Sequence, residues 1–246
     1  MRGSPVNWVV GGTDVVVAVT VSVGVGVGVL VGVTDGVSVV PAGTVGSGGK
    51  VGNGGNVGNG GKVGIFVGRL EQDNARLRRQ GVIDELMGRD EDSSRFDAPD
   101  AKLKGDKFEI VGTRTDQFDR AQAKSNMEDM VALHPDLACA VGLFAYNPPA
   151  CLEGLKRLDK LGKIQVVAFD EQDATLQAIK DGHCHGTVVQ NPYMYGHESV
   201  RILAGMHRGA TRGMPTGKFL DIPARKIVKS NVDEFWADLR DKTAKK

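Results

Sequence analysis

The chain has 246 residues, with 31 Lys and Arg against 30 Asp and Glu and a formal net charge of +1. That length holds one or two compact domains. The even balance excludes a phosphate-neutralising nucleic-acid surface, which needs a basic excess, and an acidic solvating tail.

Residues 1–62 carry more than half of the 34 glycines, and their only charged side chains are Arg2, Asp14, Asp35, Lys50 and Lys62. From Val15 to Val40 valine is interleaved with Gly, Ser and Thr. Four interpretations of this tract stand side by side. It would be a membrane-spanning or secretory segment, because Val15 to Thr34 is an uncharged run near the ~20 residues a span needs; yet it is Val/Gly-rich, and Arg2 alone makes a thin leader. It would be a strand pair, since valine alternates with small residues. It would be an aggregation-prone low-complexity segment of high β-propensity and low charge. Or it is foreign to the natural protein, as a mis-assigned start would be. From Gly43 to Gly61 the chain turns Gly/Asn-rich, with a short repeat in GKVGNGGNVGNGGKVG. That composition predicts a flexible linker.

From Lys62 the pattern alternates between strand and helix. KVGIFV (Lys62 to Val67) is an apolar run of the kind buried on both faces of a sheet. A helix is predicted from Asn74 to Met87, with Leu77, Val82, Ile83 and Leu86 at helical spacing. Gly88 to Gly105, acidic and polar, reads as an exposed loop. KFEIVGT (Lys107 to Thr113) is a strand, Arg120 to His134 a helix, ACAVGLF (Ala138 to Phe144) a strand and Pro149 to Leu161 a helix. IQVVAFD (Ile164 to Asp170), a helix from Ala174 to Asp181 and GTVVQ (Gly186 to Gln190) continue the series. Such alternation predicts an α/β fold, a parallel sheet with helices on both faces. Two parts follow: a Val/Gly-rich segment and linker over 1–61, and an α/β domain over 62–246.

Cys139, Cys151 and Cys184 are odd in number and widely spaced, which suits small buried filler better than a disulfide framework. His183, Cys184 and His185 are adjacent, and neighbours on a strand point to opposite faces, so no metal site is expected there.

Ligands of parallel α/β sheets bind beyond the carboxyl ends of the strands. Those ends deliver, in turn, Arg76 and Arg78; Asp116, Gln117 and Phe118; Tyr146 and Asn147; Phe169 and Asp170; Gln190 and Asn191. Carboxylates, amides and guanidinium groups together suit a polyol, whose hydroxyls both donate and accept. Flat aromatic rings pack on the C–H faces of a sugar. Each residue also has a plainer place. Arg78 could be solvated on its helix, Phe118 and Phe169 could be core, and Asn147 before Pro148 a turn residue. Asp170 could cap a helix, and Asn191 with Pro192 fits an N-cap and first helical residue.

The segments GKVGIFVG, NARLRRQG, TDQFDRAQAKSNMEDMVALHPDLACAVG, AYNPPACLEGL, QVVAFDEQDATLQAIKDG and HGTVVQNPYMYGHESV carry a resemblance. From Lys62 to about Met206 the chain resembles the second lobe of periplasmic sugar-binding proteins of the ribose-binding type. After Gln190 it resembles that family's return path, which implies a helix over Pro192 to His207, closing strands over Phe219 to Val228 and a terminal helix over Asn231 to Leu239. The resemblance implies that Arg78, Asn147, Asp170 and Gln190 bind sugar hydroxyls and that Phe118 and Phe169 pack on the ring. Tyr146 would add a contact where the commonest member has Gln. It implies a periplasmic binding protein for a monosaccharide, with the membrane permease of an ABC importer as partner, no cofactor, no chemistry and no nucleic acid. Residues 1–61 show none of the family's first-lobe patterns, so a half clamp that binds sugar weakly is expected. Tyr193, Val200, Ile202 and Leu203 on the Pro192 helix would then lie bare. A sugar-responsive regulator of the lactose-repressor type shares the core but needs a basic helix-turn-helix ahead of it. A small α/β enzyme needs a nucleophile beside a placed His, or a phosphate loop, and neither pattern is evident.

Overall fold

A computed structural model describes residues 60–209 and 220–244. The valine tract, and the Gly-rich segment up to Asn59, lie outside the described residues. The elements run β1 (Gly61–Val67), α1 (Asp73–Leu86), β2 (Leu103–Lys104), β3 (Phe108–Thr115), α2 (Arg120–Leu133), β4 (Leu137–Gly142) and α3 (Asn147–Arg157). They continue with β5 (Gln165–Phe169), α4 (Asp173–Asp181), β6 (Gly186–Val189), α5 (Pro192–His207), β7 (Arg225–Val228) and α6 (Val232–Ala244).

One seven-stranded sheet carries the fold, in the order β2-β3-β1-β4-β5-β6-β7. The five inner strands are parallel, and the two short edge strands, β2 and β7, run antiparallel. The sheet is therefore mixed at its edges where a parallel sheet was expected. Alternation along β1 shows how the strands feed two cores, because successive side chains point to opposite faces. Val63, Ile65 and Val67 join one cluster with Ala75, Val82 and Ile83 of α1. Phe66 joins the other with Met127 and Met130 of α2, Leu155 of α3, Leu176 of α4 and Trp236 of α6. The Trp236 indole also donates to Asp173 at 2.8 Å, fixing α6 to the start of α4. Cys139, Cys151 and Cys184 are buried free thiols, and burial pushes Cys139 and Cys184 up to about 12.

One sequence expectation is refined and another changes. Gly88 to Gly105 is an exposed loop up to β2, with no buried residue, but it is fastened to α1. Buried Arg79 of α1 donates to the carbonyls of Asp97 at 2.6 Å and Ala98 at 2.8 Å. Gln80 binds the Asp97 carboxylate at 2.7 Å, and Arg95 pairs with buried Asp84 at 2.7 Å. Polar residues that looked solvated thus pin the segment to α1, and it ends in β2. The Gly-rich stretch, in turn, enters the sheet before Lys62. Gly60 and Gly61 adopt φ values of 92° and 143°, and the Gly61 N–H donates to the Lys107 carbonyl at 2.8 Å. A Cβ on Gly60 would sit 1.8 Å from that carbonyl oxygen. Gly60→Ala is expected to cost about 1–3 kcal/mol through left-handed strain and displacement of β3. An unchanged melting temperature would show that Gly60 lies outside the cooperative fold.

Helix boundaries follow local chemistry. Asp119 caps α2 by accepting from the N–H groups of Ala121 and Gln122 at 2.8 and 3.1 Å. Pro148 and Pro149 fill the first turn of α3, where a missing N–H costs nothing, so the helix starts two residues earlier than predicted. Gly182 in the left-handed conformation ends α4. Of the closing strands expected from Phe219 to Val228, the described residues show one, β7. Among the described residues no helix is long and apolar enough to cross a membrane.

Candidate functional site

From β1 the chain steps one way to β3 and the other way through β4, β5 and β6. That reversal puts the topological switch point at the carboxyl ends of β1 and β4, where doubly wound sheets place ligands. Two polar groups occupy this edge.

The first centres on Asp116, 1% exposed at the end of β3. Its carboxylate accepts from the Phe118 N–H at 2.9 Å, the Asn147 amide at 2.7 Å and the Tyr146 hydroxyl. Burial pushes the Asp116 carboxyl above its ordinary range, against the pull of those bonds. Burial, then the bond to Asp116, pushes the Tyr146 phenol up. Asn147 is fully buried, and its carbonyl oxygen accepts from the Phe144 N–H at 3.0 Å. Gln117 and Phe118 hold positive φ, 55° and 66°. That turn lifts the Phe118 ring to 45% exposure. The ring lies nearly parallel to Phe144, centroids 6.1 Å apart, with Tyr146 tilted at 6.4 Å and the Arg69 guanidinium 5.4 Å away. Gly68 makes room for it: a Cβ there would come within 2.6 Å of the Phe118 ring and 2.8 Å of the Tyr146 hydroxyl.

The second group centres on Asp170 at the end of β5. Arg78 reaches across from α1 and grips it with both terminal nitrogens, at 2.8 and 2.9 Å. The nitrogen that bonds Asp170 Oδ2 also donates to the Leu143 carbonyl at 2.7 Å. Such a fork is the strong form of a charge-assisted bond. Gln190 adds a 3.0 Å bond to the same carboxylate, and Thr187 donates to the Asp170 carbonyl at 2.6 Å. Asp170 takes a left-handed φ of 62°. The guanidinium lies 5.1 Å from the Phe169 ring and 5.9 Å from Phe144. Phe144 therefore touches both groups. The neighbouring Glu171 carboxyl is pushed up by burial and then by the Asp170 charge.

Of the seven residues singled out from sequence, all lie at this edge, in two tiers. Phe118, Tyr146, Asp170 and Gln190 keep surface toward solvent. Arg78 at 2% exposure, Asn147 and Phe169 lie behind them; the Arg78 terminal nitrogens and the Asn147 amide serve neighbours, while Arg78 Nε is buried without a hydrogen-bond partner among the described residues. Arg78 is thus not a solvated helix residue, and Phe169 takes the core place open to it. Asp170 does not cap α4; Gln172 stands at that position. Asn191 does cap α5, accepting from Met194 at 3.4 Å. The strand ends named Asp116 without its role as hub, and passed over Gly68, Phe144 and Thr187. A glycine immediately after a central strand was the available signal for Gly68. Among the described residues no group of three His, Cys, Asp or Glu side chains is placed to hold a metal ion.

Comparison with known proteins bears on this edge. The sequence signature of the family described as "Periplasmic binding protein domain" matches residues 49–211. The ribose import binding protein of Salmonella typhimurium is 30% identical over 105 residues, which are 42% of this chain and 34% of that one. Its Bacillus subtilis counterpart is 33% identical over 91 residues, 37% of this chain and 29% of that one. The chain thus spans about a third of the length of these curated relatives. An ABC transporter solute binding protein from Burkholderia graminis, solved in complex with D-arabinose, superposes with a TM-score of 0.56 at 25% identity, covering 71% of this chain and 55% of that one. One from Agrobacterium vitis with bound D-fucose gives a TM-score of 0.58 at 24% identity, covering 72% and 54%.

Proposed function

Since this chain belongs to the periplasmic binding protein domain family, we propose that its carboxyl edge binds a monosaccharide for delivery to the membrane permease of an ABC-type sugar importer. One observation carries the proposal. A half-exposed Phe118 ring stands at the same edge as the Asp170 carboxylate, which already holds Arg78 and Gln190. The ring offers a flat apolar face, and Asp170, Gln190 and Tyr146 offer acceptors and donors for hydroxyls. Arg78, Asn147 and Phe169 hold those groups in place from behind. The names of the relatives and neighbours favour this reading over a regulator or an enzyme, since they are sugar-transport proteins. Export to the periplasm belongs to the same proposal.

The described residues contact such a ligand from one side, whereas small-molecule sites bury roughly 70–90% of their ligand. Affinity in the millimolar range follows. Titrating the full chain with D-ribose, D-arabinose and D-fucose while following thermal unfolding tests it. At ten times a millimolar Kd, one sugar should stabilise the protein by about 1.4 kcal/mol, a rise of about 3–6 °C. No shift with any monosaccharide in a cooperatively melting protein sinks the proposed function. Micromolar affinity instead overturns the one-sided account of the site.

A further inference from the structure

The carboxyl edge also carries a cation that the contacts proposed above leave unused. Arg69 follows β1 directly after Gly68, is exposed, and holds its guanidinium 5.4 Å from the centre of the Phe118 ring. Its backbone is fixed on both sides. The Gly68 carbonyl accepts from the Gln117 N–H at 3.0 Å, and Leu70 packs against the core cluster that contains Val67 and Ala75. Among the described residues the Phe118 ring is the one partner of the Arg69 side chain; it has no ion pair, and Glu71 two positions on is exposed. The other groups around it are engaged within the fold. Asp73 holds Arg76 at 2.8 Å, Asp116 holds its three donors, and Asp170 holds the Arg78 fork and the Gln190 amide.

A guanidinium presents a planar fork of donors that fits two oxygens of a carboxylate or a phosphate. A neutral hydroxyl takes one of those donors and leaves the charge uncompensated. The Phe118 ring is still 45% exposed with the guanidinium in place, so a sugar can lie on it beside Arg69 without displacing it. We propose that the sugar this edge takes carries a negative group, a carboxylate or a phosphate, with its ring on Phe118, its hydroxyls toward Asp170 and Gln190, and its anion on Arg69. The direction follows from charge. Glu171 adds a second acid beside Asp170, which repels an anion from that end and leaves it to Arg69. This inference rests on the sugar-binding reading above.

Matched pairs titrated into the full chain at low salt test it, with thermal unfolding as the readout. The pairs are D-galactose with D-galacturonate and D-ribose with D-ribose-5-phosphate; inorganic phosphate alone is a further arm. The charged member of one pair should bind about tenfold more tightly than its neutral partner, because a hydrogen bond to a charged group is the stronger kind. Which pair shows the preference tells a carboxylate from a phosphate. In Arg69→Ala the two members should bind alike, and Arg69→Lys should keep part of the preference; melting without ligand checks that both variants fold. Neutral sugars that bind as tightly as their charged partners overturn the inference and leave the sugar-binding reading standing. A preference that survives in Arg69→Ala overturns it too, since the anion is then held elsewhere. So does inorganic phosphate that binds as tightly as the charged sugars, because the sugar ring then contributes nothing. No binding by any of the four sugars sinks this inference and the sugar-binding reading together.

Discussion

Arg78→Ala is expected to destabilise the fold by about 3 kcal/mol and to abolish the proposed sugar binding. The guanidinium is almost wholly buried and neutralises an Asp170 side chain that is itself only 22% exposed. Removing one partner of a buried pair costs about 3–5 kcal/mol, because the other charge is left without compensation. The residual exposure of Asp170 places the cost at the low end. Arg78→Lys should recover only part of it. A single ammonium cannot span both carboxylate oxygens and the Leu143 carbonyl together. Urea unfolding is the measurement: a lower midpoint at unchanged slope reports lost stability alone. An Arg78→Ala midpoint equal to that of the parent would show that the fork contributes nothing.

Asp116→Ala comes next. It leaves the Tyr146 hydroxyl, the Asn147 amide and the Phe118 N–H without their shared acceptor. An orphaned buried donor costs about 1–3 kcal/mol, and the three are coupled, so about 3 kcal/mol in total is expected rather than the sum. The Phe118 turn loses its anchor, and sugar affinity should fall more than tenfold. The effect depends on pH with a definite sign. Burial raises the Asp116 carboxyl. Between its ordinary value and the raised one, the folded protein keeps a proton that the unfolded chain has released. Stability from this group therefore falls as pH rises through that window. The gap between parent and Asp116→Ala should be widest at the acid end. A gap that grows toward neutral pH would mean the carboxyl is depressed instead.

The inner strands were legible because strands buried on both faces are written as unbroken apolar runs, as in GKVGIFV and LACAVG. The start of α5 was legible too, since Asn191 and Pro192 announce it. What escaped was the fate of polar side chains. Arg78 and Asn147 look like surface residues until Asp170 and Asp116 arrive from positions 92 and 31 residues away. Arg79 and Gln80 were opaque for the same reason, because Asp97 turns a charged loop into a fastened one. Nor does the chain distinguish Phe118 from Phe169. One follows a left-handed Gln117 and stands up from the edge; the other ends a central strand and points inward.

Among the described residues, three of the four non-glycine residues with positive φ, Gln117, Phe118 and Asp170, sit at the carboxyl edge of the sheet. Strain of this kind is settled when the chain folds, so an arriving ligand has no loop to order. Capture then runs near an ordinary association rate, about 10⁶ M⁻¹s⁻¹. With a millimolar Kd, that sets an escape rate of about 10³ s⁻¹ and a dwell of about a millisecond. At this edge a sugar would be exchanged rather than held, and handing it onward would need no opening step.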